Sequence, residues 1–110
     1  MIRKDLVAAS SKPLVLSILK GGESYGYEII QRVKKLSEEE LNWTDGMLYP
    51  VLHRMEKEKL IESNWQTSET GRKRKYYSIT QKGLKELEEE QRQWNAVNKT
   101  VQKLWRPNHV

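Results

Sequence analysis

Four consecutive cations, Arg72-Lys73-Arg74-Lys75, stand between two strand-like runs and closely follow an amphipathic helix, and that order leaves few folds open. Leu60-Ile61-Glu62-Ser63-Asn64-Trp65 and Lys75-Tyr76-Tyr77-Ser78-Ile79 carry the aromatic and β-branched residues that suit paired strands. Thr67 to Lys73 is the expected turn, with Gly71 as its loose point. Helix, strand, charged turn and strand together describe a winged helix, in which a hairpin lies beside a helix able to enter a groove of DNA. The fold class expected is therefore mostly α with a small β-hairpin (α+β), a winged helix-turn-helix with a long C-terminal dimerisation helix.

The helix before the hairpin opens at Thr44, a suitable cap. Helical spacing turns Leu48, Val51, Leu52 and Met55 inward, leaves Pro50, His53, Arg54 and Lys57 outward, and puts Tyr49 on the flank. Pro50 lacks the amide that would bond to the Gly46 carbonyl, and Gly46 is small enough to let a sugar-phosphate backbone come close. Upstream, Leu14, Val15, Ile18 and Leu19 mark a helix from Pro13 to Lys20, with Ser11 as its cap and Gly21-Gly22 as its stop. Residues 1–10 form either an earlier part of that helix, kinked at Pro13, or a separate arm; helix is the preferred reading. Ser24 is the expected cap of the next helix, whose apolar face runs Tyr25, Ile29, Ile30, Val33 and Leu36. Gly26 there is expected to admit a neighbouring helix closely. Leu41-Asn42-Trp43 is a candidate for an extra strand beside the wing.

Thr80 caps a last helix reaching roughly to Trp105. Leu84, Leu87, Gln91, Trp94, Asn98, Val101 and Trp105 recur at spacings of three and four, as in a coiled-coil seam, and Val97 and Leu104 widen the stripe. One small domain cannot cover such a stripe, so a second copy of the chain is the economical partner. Gln91 and Asn98 put polar groups in that seam, where they weaken it but can fix register. The chain is expected to divide into a winged domain over residues 1–80, a dimerisation helix over 81–106 and a disordered tail over 107–110, all one compact unit.

Lys and Arg total 20 against 15 for Asp and Glu, a formal charge of +5 that favours polyanionic partners. Acidic runs at Glu38 to Glu40 and Glu86 to Glu90 read as solvated ends and faces. The absence of Cys removes disulfides and thiolate metal sites and suits a reducing cytoplasm, the expected location. The longest apolar run falls far short of the roughly 18 to 20 residues of a membrane span. His53 and His109 are isolated, so neither metal nor cofactor is expected, and no nucleophile or phosphate-loop constellation points to an enzyme.

Three linked segments carry a resemblance: Tyr25-Gly26-Tyr27-Glu28-Ile29, the stretch Gly46-Met47-Leu48-Tyr49-Pro50-Val51-Leu52-His53-Arg54-Met55-Glu56, and Gly71 through Gly83. In order and spacing they resemble the PadR family of bacterial transcriptional regulators. The resemblance implies a homodimeric repressor of a pseudo-palindromic double-stranded DNA operator, joined through its last helix and usually its first. Under it, Thr44, Asp45, Gly46, Met47, Tyr49 and His53 become DNA-binding candidates on the recognition helix, and Arg72, Lys73, Arg74 and Lys75 become phosphate clamps. The single C-terminal helix is similar to the short branch of multidrug-responsive repressors, which implies a flat pore at the dimer interface. Trp94 falls where those relatives stack planar aromatic effectors, with Gln91 and Asn98 as hydrogen-bonding neighbours. The dimer interface is then expected at Leu87, Trp94, Val97, Val101, Leu104 and Trp105. Alternatives are a winged-helix protein-interaction module without an effector, and a small-molecule binding protein with incidental DNA affinity.

Overall fold

The computed structural model describes residues 2–106; the expected tail at 107–110, with His109, lies outside the described residues. The elements run α1 (Lys4–Lys20), β1 (Ser24–Tyr25), α2 (Gly26–Leu36), α3 (Asp45–Lys57), β2 (Ile61–Thr67), β3 (Lys73–Ile79) and α4 (Gln81–Trp105). Four helices thus surround a three-stranded antiparallel sheet of order β1-β3-β2, which is the expected winged α+β fold.

α1 is continuous through Pro13, so the early residues belong to the same helix. Ser11, expected to cap it, instead lies buried inside the helix and donates to the Ala8 carbonyl at 2.8 Å. α1 ends at Gly21, and Gly22 follows at φ +143°, a turn most side chains resist. Ser24 does not cap α2 either. Its hydroxyl donates to Glu28 Oε1 at 2.6 Å, and its backbone is extended as β1. This pair of residues is the third strand, in register Ser24↔Tyr77 and Tyr25↔Tyr76 against β3. The 41–43 segment is irregular, contrary to the strand expected there, because the Trp43 ring is drawn into the core at 5 % exposure.

The core gathers Val15, Leu16, Ile18 and Leu19 of α1, Ile29 and Val33 of α2, Leu48, Leu52 and Met55 of α3, and Tyr77 and Ile61 of the hairpin. Leu36, expected on the inner face of α2, is 73 % exposed at the helix end. α4 joins the core only by its root. Gly83 and Leu87 are buried, while every residue from 91 to 100 is exposed. Lys12 ties the two outer helices together, its ammonium 2.7 Å from Glu86 and 3.5 Å from Glu90. The Glu86 hydrogen bond holds the Lys12 pKa above its ordinary value.

Candidate nucleic-acid interface

α3 begins where Thr44 leaves the extended conformation and its Oγ1 accepts from the Met47 amide at 3.2 Å. The cap fixes Asp45 in the first turn, beside the positive end of the helix dipole. Thr44, Asp45, Gly46 and His53 are exposed, and Met47 is half-buried against the core. Tyr49 is held on the flank by Gly26, whose absent side chain leaves room for the phenol. A Cβ there would stand 2.8 Å from the Tyr49 hydroxyl. The close approach expected at Gly26 is thus made by one side chain of α3 rather than by the helix as a whole.

The cations are distributed differently from a charged turn. Residues 68–72 turn between the strands, with Gly71 at φ +82°, so Arg72 alone of the four lies in the turn. Lys73, Arg74 and Lys75 belong to β3, because the ladder continues outward through Trp65↔Lys75, Gln66↔Arg74 and Thr67↔Lys73. Side chains alternate along a strand, so Lys73 and Lys75 share one face and Arg74 takes the other. There the Arg74 guanidinium lies 4.5 Å from the Tyr25 ring centre, a cation–π contact joining β3 to the edge strand. Lys75 points back toward α3, where its ammonium is 3.8 Å from Glu56. Glu56 also accepts the Ser63 hydroxyl at 2.5 Å, so one carboxylate fastens both strands to the helix. Beside it Tyr77 is buried, and burial, with the Glu56 charge, pushes its phenol up to about 12.

Between the outer face of α3 and the wing opens a cleft of about 660 Å³. It brings together Asp45, Tyr49 and His53 of α3 with Arg72, Lys73, Arg74 and Lys75, seven of the residues singled out from sequence. Thr44, Gly46 and Met47 do not line it. Four further aromatic residues do: Tyr25, Tyr27, Trp65 and the buried Tyr77, of which Tyr27 is 65 % and Trp65 67 % exposed. Sequence reasoning missed them because Tyr25 falls on the apolar face expected for the second helix, Tyr27 lies off that face with no role assigned to it, and Trp65 and Tyr77 have the pattern of ordinary strand residues. An exposed aromatic set among cations is the missing signal.

A second concavity, of about 310 Å³, lies where α4 leaves the core, lined by Trp94 together with Leu6, Pro13, Leu14 and Leu41. Gln91 and Asn98, the expected neighbours of Trp94, do not line it. Val97, Leu104 and Trp105 are 60 %, 72 % and 75 % exposed along α4, and Val101 is half-buried. Leu87, expected at a dimer contact, is 1 % exposed and is occupied inside its own chain. Among the described residues no helix is long and apolar enough to cross a membrane, and no metal-ligating cluster is assembled.

The fold and the cationic cleft together define a winged-helix protein. Residues 15–89 match the model of the transcriptional regulator PadR-like family. A PadR-like transcriptional regulator from Bacillus cereus is 38 % identical, with TM-score 0.84 over 96 % of this chain and 100 % of that one. A transcriptional regulator from Clostridium thermocellum is 30 % identical, with TM-score 0.85 over the same shares. The transcriptional regulator YqjI of Escherichia coli is 28 % identical over 80 % of this chain, which spans only 41 % of that longer protein. The chain belongs to the PadR-like family of transcriptional regulators, and it is a DNA-binding regulator rather than an enzyme.

Proposed function

We propose that this regulator is a cytoplasmic homodimeric repressor that occupies a pseudo-palindromic operator and is released by a planar aromatic effector. The observation that carries the DNA-binding part is the cleft between α3 and the wing, where Asp45, Tyr49 and His53 face Arg72 to Lys75. α3 enters a major groove by its exposed N-terminal half. The wing cations meet phosphates on the flanking backbone, holding register without reading bases. Tyr49 donates its hydroxyl to a phosphate, kept in position by the space over Gly26. Two copies offer two recognition helices about one helical turn apart, roughly 34 to 36 Å.

The pairing is supported by α4, whose exposed Val97, Leu104 and Trp105 form an apolar stripe without cover in a single chain. Release is supported by the groove at Trp94, where an indole and aliphatic side chains offer a flat apolar floor. An effector there acts only by binding one spacing of the two winged units better than the other. Lys12, clamped to Glu86 and Glu90, transmits a shift of α4 to α1 and so to the core beneath α3.

Selection of preferred sequences from random duplexes, repeated with a panel of planar aromatic compounds, tests the proposal. The expected result is a palindromic consensus whose recovery falls when an active compound is present. Recovery of no consensus removes the repressor reading, and a consensus indifferent to every compound removes the effector.

A further inference from the structure

Trp65 has no role in the reading above, yet its surroundings are unlike those of any other tryptophan in the chain. On β2 it stands directly across from Lys75, on the face that begins with buried Ile61 and continues through Ser63 and Thr67. Where that face passes beyond α3 the core ends, and the indole emerges 67 % exposed into the cationic cleft. A bare strand position of this kind is well served by Thr or Lys, and an exposed indole gains free energy only when something covers it.

Charge decides what the cover is. Trp65 lies among Arg72, Lys73 and Lys75, so a second copy of this chain, itself carrying a formal charge of +5, is a poor occupant. The apolar residues suited to self-association lie elsewhere, on α4 at Val97, Leu104 and Trp105. A duplex supplies what this patch needs: phosphates for the cations and, between them, the apolar edge of deoxyribose. We infer that Trp65 packs its indole against the sugars of the strand bordering the groove that α3 enters. The wing then holds DNA by an apolar contact as well as by ion contacts. This rests on the DNA-binding reading of the cleft and adds a residue that follows the path of the backbone instead of base identity. Tyr27, exposed on the same cleft, offers a second aromatic surface of the same kind.

Such a contact displaces no counterions, so it contributes to affinity without contributing to the salt slope. That separates it from Lys73 beside it. The test uses the full chain with an end-labelled operator duplex, comparing wild type, Trp65→Ala and Trp65→Phe across a salt series. Trp65→Ala is expected to weaken binding about tenfold at every salt concentration, the scale of burying part of an aromatic side chain, with the slope unchanged. Trp65→Phe is expected to keep most of the affinity but to lose a DNA-dependent change in indole emission. Equal binding by Trp65→Ala, or a loss that comes with a flatter slope, overturns the inference while leaving the cleft as a DNA site. A shift of the monomer–dimer balance in Trp65→Ala identifies a second copy as the cover and also overturns it. Wild-type chain that ignores every duplex removes the underlying reading instead. Circular dichroism and thermal melting of the variants, expected to match wild type, exclude a folding defect.

Discussion

Two glycines with similar sequence settings, each in the first turns of a helix, answer to different constraints. Gly83 in α4 is buried; a Cβ there would collide with the Leu60 carbonyl oxygen and stand 2.8 Å from Ile79 Cγ1. Backbone cannot move aside without disturbing Thr80, whose amide and hydroxyl both donate to that same carbonyl. A glycine-to-alanine change within a helix ordinarily gains up to about 1 kcal/mol. Here overpacking of about 1 to 3 kcal/mol outweighs it. Gly83→Ala should therefore lower the urea midpoint, and a midpoint equal to or above wild type would show that β2 and α4 are less tightly joined than the geometry indicates. At Gly26 the obstacle is the far end of the Tyr49 side chain, which can swing away. Gly26→Ala should leave the urea midpoint within about 1 kcal/mol of wild-type stability, yet weaken operator binding by displacing the hydroxyl. Filter binding beside a urea titration distinguishes the two glycines; a Gly26→Ala chain with full affinity would free Tyr49 from its proposed phosphate.

At the scale of elements, the joint between α3 and the hairpin depends on Glu56, which accepts from Ser63 and faces Lys75. The Lys75 ammonium, 3.8 Å away and partly solvated, adds less than about 1 kcal/mol to stability. On the proposed interface the larger effect of Glu56 would be to compete with phosphate for one wing cation. Glu56→Gln keeps an oxygen for Ser63 and releases Lys75, so it should tighten binding and steepen the salt slope by about 0.9 for each chain on the duplex. Fluorescence anisotropy across a salt series measures this; an unchanged slope would mean that Lys75 never reaches DNA. Neither this pairing nor the alternation of cations along β3 was legible in the sequence, because both depend on register. What was legible rested on local rules. Thr44 and Thr80 each accept from the amide three residues on, as capping residues do. The inward stripe of α3 followed from spacing alone. β1 was missed because two residues carry no periodicity, and their strand character comes entirely from the exposed edge of β3. Lys12 with Glu86 and Glu90 was missed for a similar reason, since the partners lie far apart in sequence.

For the whole molecule the deciding fact is the mismatch between a compact winged core and a 25-residue helix, about 37 Å long, that leaves it after Leu87. The outer part of α4 is held by no core of its own, and its exposed Val97, Leu104 and Trp105 are large apolar groups in water. Isolated helical segments of this length are marginal, so an unpaired α4 would fray from its C-terminal end. In the proposed dimer a second copy would remove both costs by laying the two stripes together. Because Leu87 is committed to the core of its own chain, the proposed pairing surface would begin near Trp94 and extend outward. Leu104→Asp, which sets a carboxylate in that surface and touches nothing in the core, should yield a monomer of 13.0 kDa by sedimentation equilibrium. The core should persist, with the Thr44 and Thr80 caps and the hairpin intact and most helical signal retained. Operator binding should fall by about 10² to 10⁴, because two linked half-site contacts become one. The remaining weak affinity should keep roughly half the salt slope, since each chain then neutralises phosphates alone. A Leu104→Asp chain that still sediments at twice the chain mass would move the pairing surface off α4, and with it the account of how an effector at Trp94 could reach the recognition helices.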